Sequence, residues 1–93
     1  MFCVFVAFKL KPGKLEAFRA IALDLMEQTR REAGCLSYEI GEARDGYIAW
    51  VERWASEEAL AAHKATAHYV QGEEKMEGLF EGAPQVWRVE PFA

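Results

Sequence analysis

Hydrophobic and polar positions divide this chain into a short series of alternating and periodic segments. Between Phe2 and Leu10 almost every position is apolar, with Phe2, Val4, Val6 and Phe8 on one face and Cys3, Phe5 and Ala7 on the other. A strand apolar on both faces belongs to a sheet that is covered on both sides. Lys11-Pro12-Gly13 reads as a turn, and Pro12 suits the start of a helix. From there to about Ala33 the residues Leu15, Phe18, Ala22, Leu25 and Thr29 recur at three- and four-residue steps. Ile21 and Met26 widen that stripe, and Glu16, Arg19, Asp24, Glu27 and Arg31 oppose it. Arg30 and Arg31 suit the negative end of this helix, and Gly34 is a left-handed stop.

Residues 35–43 read as a second strand, with Leu36, Tyr38 and Ile40 on one face and Cys35, Ser37 and Glu39 on the other. Asp45-Gly46 then joins two alternating runs, the pattern of a tight hairpin. The third strand sets Ile48, Trp50, Glu52 and Trp54 on one face and Tyr47, Ala49, Val51 and Arg53 on the other. Ser56 caps the helix that follows, and Glu57 and Glu58 favour its positive end. Thr66 caps a second helical piece over about 67–77, with Tyr69, Val70 and Met76 facing inward. Gly78 to Gly82 reads as a loop with an apolar tip, where Leu79 and Phe80 would form a lid. Gln85 to Glu90 is a last strand, ended by Pro91. The order β-α-β-β-α-β, with its second helix split, predicts an α+β, ferredoxin-like antiparallel sheet with helices on one face. Helices on one face leave the other apolar face of the first strand bare. A second copy packed sheet to sheet would cover it, so the pattern predicts a homodimer.

Composition narrows the function. Ninety-three residues, 52% of them hydrophobic, predict one ordered domain over 1–93. A net charge of −4 without a basic stripe argues against nucleic acid as a partner. No apolar run approaches the roughly 20 residues of a membrane helix. The start lacks a charged n-region, so the expected location is cytoplasmic. Cys3 and Cys35, without a C-x-x-C, read as reduced packing residues.

The chemistry concentrates between Ile48 and Tyr69. His63 and His68 are the only histidines. His63, with an imidazole that titrates near neutrality, is the candidate catalytic base; the plain alternative is a histidine that caps a helix or packs under an interface. His68 lies five positions on, about 140° around an unbroken helix, so only a break near Thr66 brings the two to one pocket. That spacing is poor for a metal pair, and no metal is expected. Glu52, flanked by two tryptophans, is costly to bury without a partner. It is the candidate support for His63, or else an ion-pair partner of Arg44, Arg53 or Arg88. Tyr38, Trp54, His68 and Tyr69 are the candidate substrate-binding residues, and Trp50 is a further aromatic wall.

Glu52-Arg53-Trp54-Ala55-Ser56, followed by Ala59, Ala62-His63, Thr66 and His68, resembles the antibiotic biosynthesis monooxygenase family, in particular its quinol-monooxygenase-like branch. Pro12-Gly13 and Gly34-Cys35-Leu36-Ser37-Tyr38 fit the same pattern. The resemblance implies a dimeric α/β barrel with a pocket between sheet and helices. It also implies members that use O₂ on quinols or anthrone-like aromatics with no cofactor. The haem-degrading branch uses an Asn in the first strand, which is absent here; His63 stands where that branch has a Trp, and Glu73 falls near its histidine position. The expectation is therefore a cofactor-independent monooxygenase of a small aromatic substrate. An isomerase of the same fold and a non-enzymatic binding or stress-associated module are the alternatives.

Overall fold

The computed structural model describes residues 1–93. Its elements are β1 (Phe2–Leu10), α1 (Leu15–Thr29), β2 (Cys35–Glu42), β3 (Ile48–Trp54), α2 (Glu57–Lys64), α3 (Ala67–Met76) and β4 (Phe80–Val89). The four strands form one antiparallel sheet in the order β2-β3-β1-β4. This is the ferredoxin-like arrangement, with the second helix split. No helix is long and apolar enough to cross a membrane.

Register explains the core. Phe2, Val6 and Phe8 of β1 lie opposite Trp54, Trp50 and Ile48 of β3, so the large side chains share the helix-covered face. The α1 stripe of Phe18, Ala22, Leu25 and Thr29 is buried against it. Phe18 meets Phe8 edge-on, with ring centroids 5.5 Å apart. The opposite face carries Phe5, Val51 and Trp87 in one row across β1, β3 and β4, and Phe5 and Trp87 are exposed. One face of the apolar first strand is thus covered within the chain, and the other is not.

Two boundaries and one buried face differ from the sequence pattern. α1 ends at Thr29 rather than near Ala33: the Arg31 and Glu32 amides bond three residues back, to Gln28 and Thr29, while the Arg30 side chain donates through Nε to the Tyr38 carbonyl and pairs with Glu39. Gly34, at φ +83°, closes the turn, and a Cβ there would lie 2.5 Å from Ala59 Cβ. Residues from Phe80 are strand, not the tip of a loop. Phe80 pairs with Leu10 and stacks on Phe8 at 4.2 Å, which leaves no lid. The register shift opposite Ala7 and Lys9 absorbs Gly82 and Pro84 at this sheet edge. In α3 the buried residues are Gly72, which faces Leu25 of α1, and Met76, while Val70 is exposed.

Candidate functional site

Two caps set the geometry of the histidines. Ser56 Oγ accepts from the Ala59 amide and starts α2. Thr66 Oγ1 accepts from the Tyr69 amide to start α3, while its hydroxyl donates to the His63 carbonyl. The helix therefore breaks at 65–66, and the 140° that would separate His63 from His68 is undone. Both rings turn to the same point, which is Glu32. Its Oε2 lies 2.7 Å from His63 Nδ1 and 2.6 Å from His68 Nε2. All three side chains are largely removed from water.

Glu32 is the functional candidate that sequence reasoning passes over. An α1 extended to Ala33 makes it an ordinary helical residue. The available signal is a carboxylate at the next step of the apolar stripe after Thr29. The turn at 30–34 aims it instead, as its carbonyl accepts from the Cys35 amide and the Gly34 carbonyl accepts from the Ala55 amide.

His63 is 2% exposed and lines a cavity of about 360 Å³ between the sheet and α2–α3. That volume lies within the range of small-molecule sites. Val6, Phe8 and Val86 form an apolar floor, and Tyr38, Glu52, His63 and Tyr69 bring polar atoms to the walls. The Tyr69 ring lies 5.0 Å from that of His63. Lys64, Glu73 and Arg88 complete the lining. A slightly larger groove of about 430 Å³ between α1 and β2 contains neither histidine, and its charged members, Arg19 and Glu42, are exposed. The buried histidine lines the smaller cavity.

Three of the expected site residues have other surroundings than an aromatic pocket wall. Trp54 is fully buried and outside the cavity lining; it backs the His63 ring at 4.8 Å and donates through Nε1 to Glu52 Oε1 at 2.8 Å. His68 faces a separate groove of about 270 Å³ between α1 and α3, because α3 begins afresh at Thr66. Glu52 accepts its hydrogen bond from Trp54, and the carboxylate that holds His63 is Glu32. Tyr38 and Tyr69 do line the cavity, and Tyr38 Oη accepts from Trp50 Nε1 at 2.6 Å.

Burial dominates the electrostatics of the site. Burial pushes the His63 pKa below its ordinary value, outweighing the opposing pull of Glu32. Burial also raises the Glu52 carboxyl, and it lifts the Tyr38 and Tyr69 phenols, the latter to about 12. Glu32, His63 and His68 offer one polar atom each, all within 4.8 Å of one another. With both imidazoles on the one Glu32 oxygen, the trio forms a hydrogen-bonded network.

The profile of the antibiotic biosynthesis monooxygenase family matches residues 1–75. A Mycobacterium tuberculosis protein, Rv0793, named provisionally as a monooxygenase, is 35% identical over 68 residues, which cover 72% of this chain and 67% of that protein. Bacillus subtilis YcnE, named in the same way, is 33% identical over 63 residues, 66% of each chain. In sequence this chain spans about two thirds or less of its curated relatives' length. The solved structure of Rv0793 superposes with a TM-score of 0.92 at 29% identity, over 99% of this chain and 95% of that one. A Nitrosomonas europaea structure matches over the whole of both chains at a TM-score of 0.93; its 24% identity speaks for the fold.

Proposed function

The chain belongs to the antibiotic biosynthesis monooxygenase family, and from that premise we propose that it oxygenates a quinol or polyphenolic, anthrone-like aromatic with O₂ and no cofactor. The observation that carries this reading is His63: buried, held by Glu32 at Nδ1, and bordering an aromatic-walled cavity. A carboxylate oxygen only accepts, so Nδ1 carries the ring proton and Nε2 keeps its lone pair. Nε2 takes a proton from the substrate. The resulting electron-rich anion gives an electron to O₂, and the radical pair combines to a hydroperoxide. Loss of water leaves one oxygen atom in the product; the substrate supplies all the electrons. The unoccupied sheet face, with Phe5, Trp87 and Val89 exposed, supports a homodimer packed face to face.

Glu52 favours a second reading. A carboxyl whose pKa burial raises, on the same cavity as a base, is an acid–base pair suited to isomerisation. One experiment separates the two. Oxygen uptake by chelator-treated protein is measured with a panel of naphthoquinols and anthrones, for the wild type and His63→Ala, against each substrate's autoxidation. Saturable uptake lost in the variant supports the oxygenase. Uptake no faster than autoxidation across the panel rejects it and leaves isomerisation or simple ligand binding.

A further inference from the structure

His68 touches no part of the cavity, yet it is hydrogen-bonded to the group that holds the base. The network joins three elements: Glu32 from the turn before β2, His63 from α2 and His68 from α3. Neither imidazole has another side-chain hydrogen bond. Both meet one oxygen, Oε2, rather than one oxygen each. The two rings open to different spaces, His63 to the inner cavity and His68 to the outer groove with Asp24, Gln28, Gln71 and Lys75. Water in the groove thus reaches His68 even when a substrate fills the cavity.

A shared oxygen links the two protonation equilibria. With Oε2 accepting from both rings, each imidazole is neutral with its proton toward Glu32, or else is an imidazolium. An imidazolium at His63 is stabilised by the carboxylate to the extent that the carboxylate is not already balanced by one at His68. Two imidazolium rings on one oxygen, largely out of water, also repel each other. The other titratable groups nearby are Asp24 of α1 and Lys75 of α3 on the groove and Lys64 of α2 beside His63. Tyr38, Glu52, Tyr69 and Glu73 stand around the cavity. None of them bridges the two rings.

We propose that His68 is a positioning residue that acts on His63 through Glu32, so that the shared oxygen holds one imidazolium at a time. The proposal rests on the reading of His63 as the base. When His63 Nε2 accepts the substrate's proton, a His68 that was protonated gives its Nδ1 proton to water in the groove. One proton enters the network and one leaves it, with no proton crossing Glu32.

The test needs no substrate, so it stands apart from the oxygenase reading. With only two histidines in the chain, their imidazole signals are followed by NMR titration in the wild type, His68→Gln and Glu32→Gln. The wild-type His63 curve should be two-step, with one inflection at the midpoint of His68. His68→Gln, whose amide still donates to Glu32, should make the curve single-step and shift its midpoint upward. Glu32→Gln should remove the coupling and lower that midpoint. Independent one-step curves in the wild type overturn the proposal without recourse to a variant. An unchanged His63 midpoint in a folded His68→Gln protein does the same. In catalysis, His68→Gln should shift the acid limb of kcat/KM, whereas a merely structural residue would scale the whole profile.

Discussion

β3 and β4 flank the same strand, β1, and each carries tryptophan and valine, yet their fates differ. β3 buries Ile48, Trp50, Glu52 and Trp54, whereas β4 exposes nearly every residue from Glu81 to Val89. Composition does not explain the contrast; cover does. Helices pack over β2 and β3 and their roof runs out toward β4. The cavity lies along this seam, with Val4 and Val6 of β1 and Val86 of β4 below and Leu60, His63 and Tyr69 above. A site at the edge of the core has a buried polar wall, which holds His63, and an open apolar side.

The largest effect is expected from deleting one indole on each strand. Trp54→Ala should cost about 3–5 kcal/mol in urea unfolding, since it empties the packing behind His63. Trp87→Ala should leave the chain nearly as stable and act on assembly instead. Light scattering should show its apparent mass falling toward 10.6 kDa while the wild type stays at twice that. Equal losses of stability would erase the contrast between the strands.

Gly34→Ala should come next, at roughly 1 kcal/mol or more, because φ is +83° and the added Cβ would meet Ala59. Its particular signature should be a displaced Glu32, visible as altered imidazole shifts of both histidines. A stable variant with unchanged histidine signals would show that the turn does not aim the carboxylate.

The smallest effect should be the pH dependence of Glu52→Gln. Burial raises the Glu52 pKa, so its contribution to stability is present below the ordinary carboxylate value and lost as pH rises through the folded value. The stability of the variant relative to the wild type should therefore rise with pH in that window. Urea midpoints from about pH 4 to pH 8 check the sign.

The sequence pattern makes β3 more legible than β4 and His63 more legible than Glu32. Strict alternation from Ile48 to Trp54 and the Asp45-Gly46 turn lead straight to the observed hairpin. Gly78, Gly82 and Pro84 conceal the first half of β4, since an edge strand tolerates residues that read as a loop. His63 stands out as one of two histidines. Glu32 does not, because its role depends on a helix that stops at Thr29 and tightens into the turn where the Arg31 and Glu32 amides bond three residues back. The direction of His68 depends on how α3 restarts at Thr66, a packing outcome that a spacing of five residues leaves open.

The most direct test of the account is the pH dependence of kcat/KM for oxygen uptake, overlaid on the NMR titration of His63 in the free protein. Burial lowers the His63 pKa, so activity should be full at neutral pH. It should fall only on an acid limb below the ordinary histidine range, with the midpoint of the His63 signal. Uptake that persists through protonation of His63, or an acid limb that follows a different group, would contradict the account.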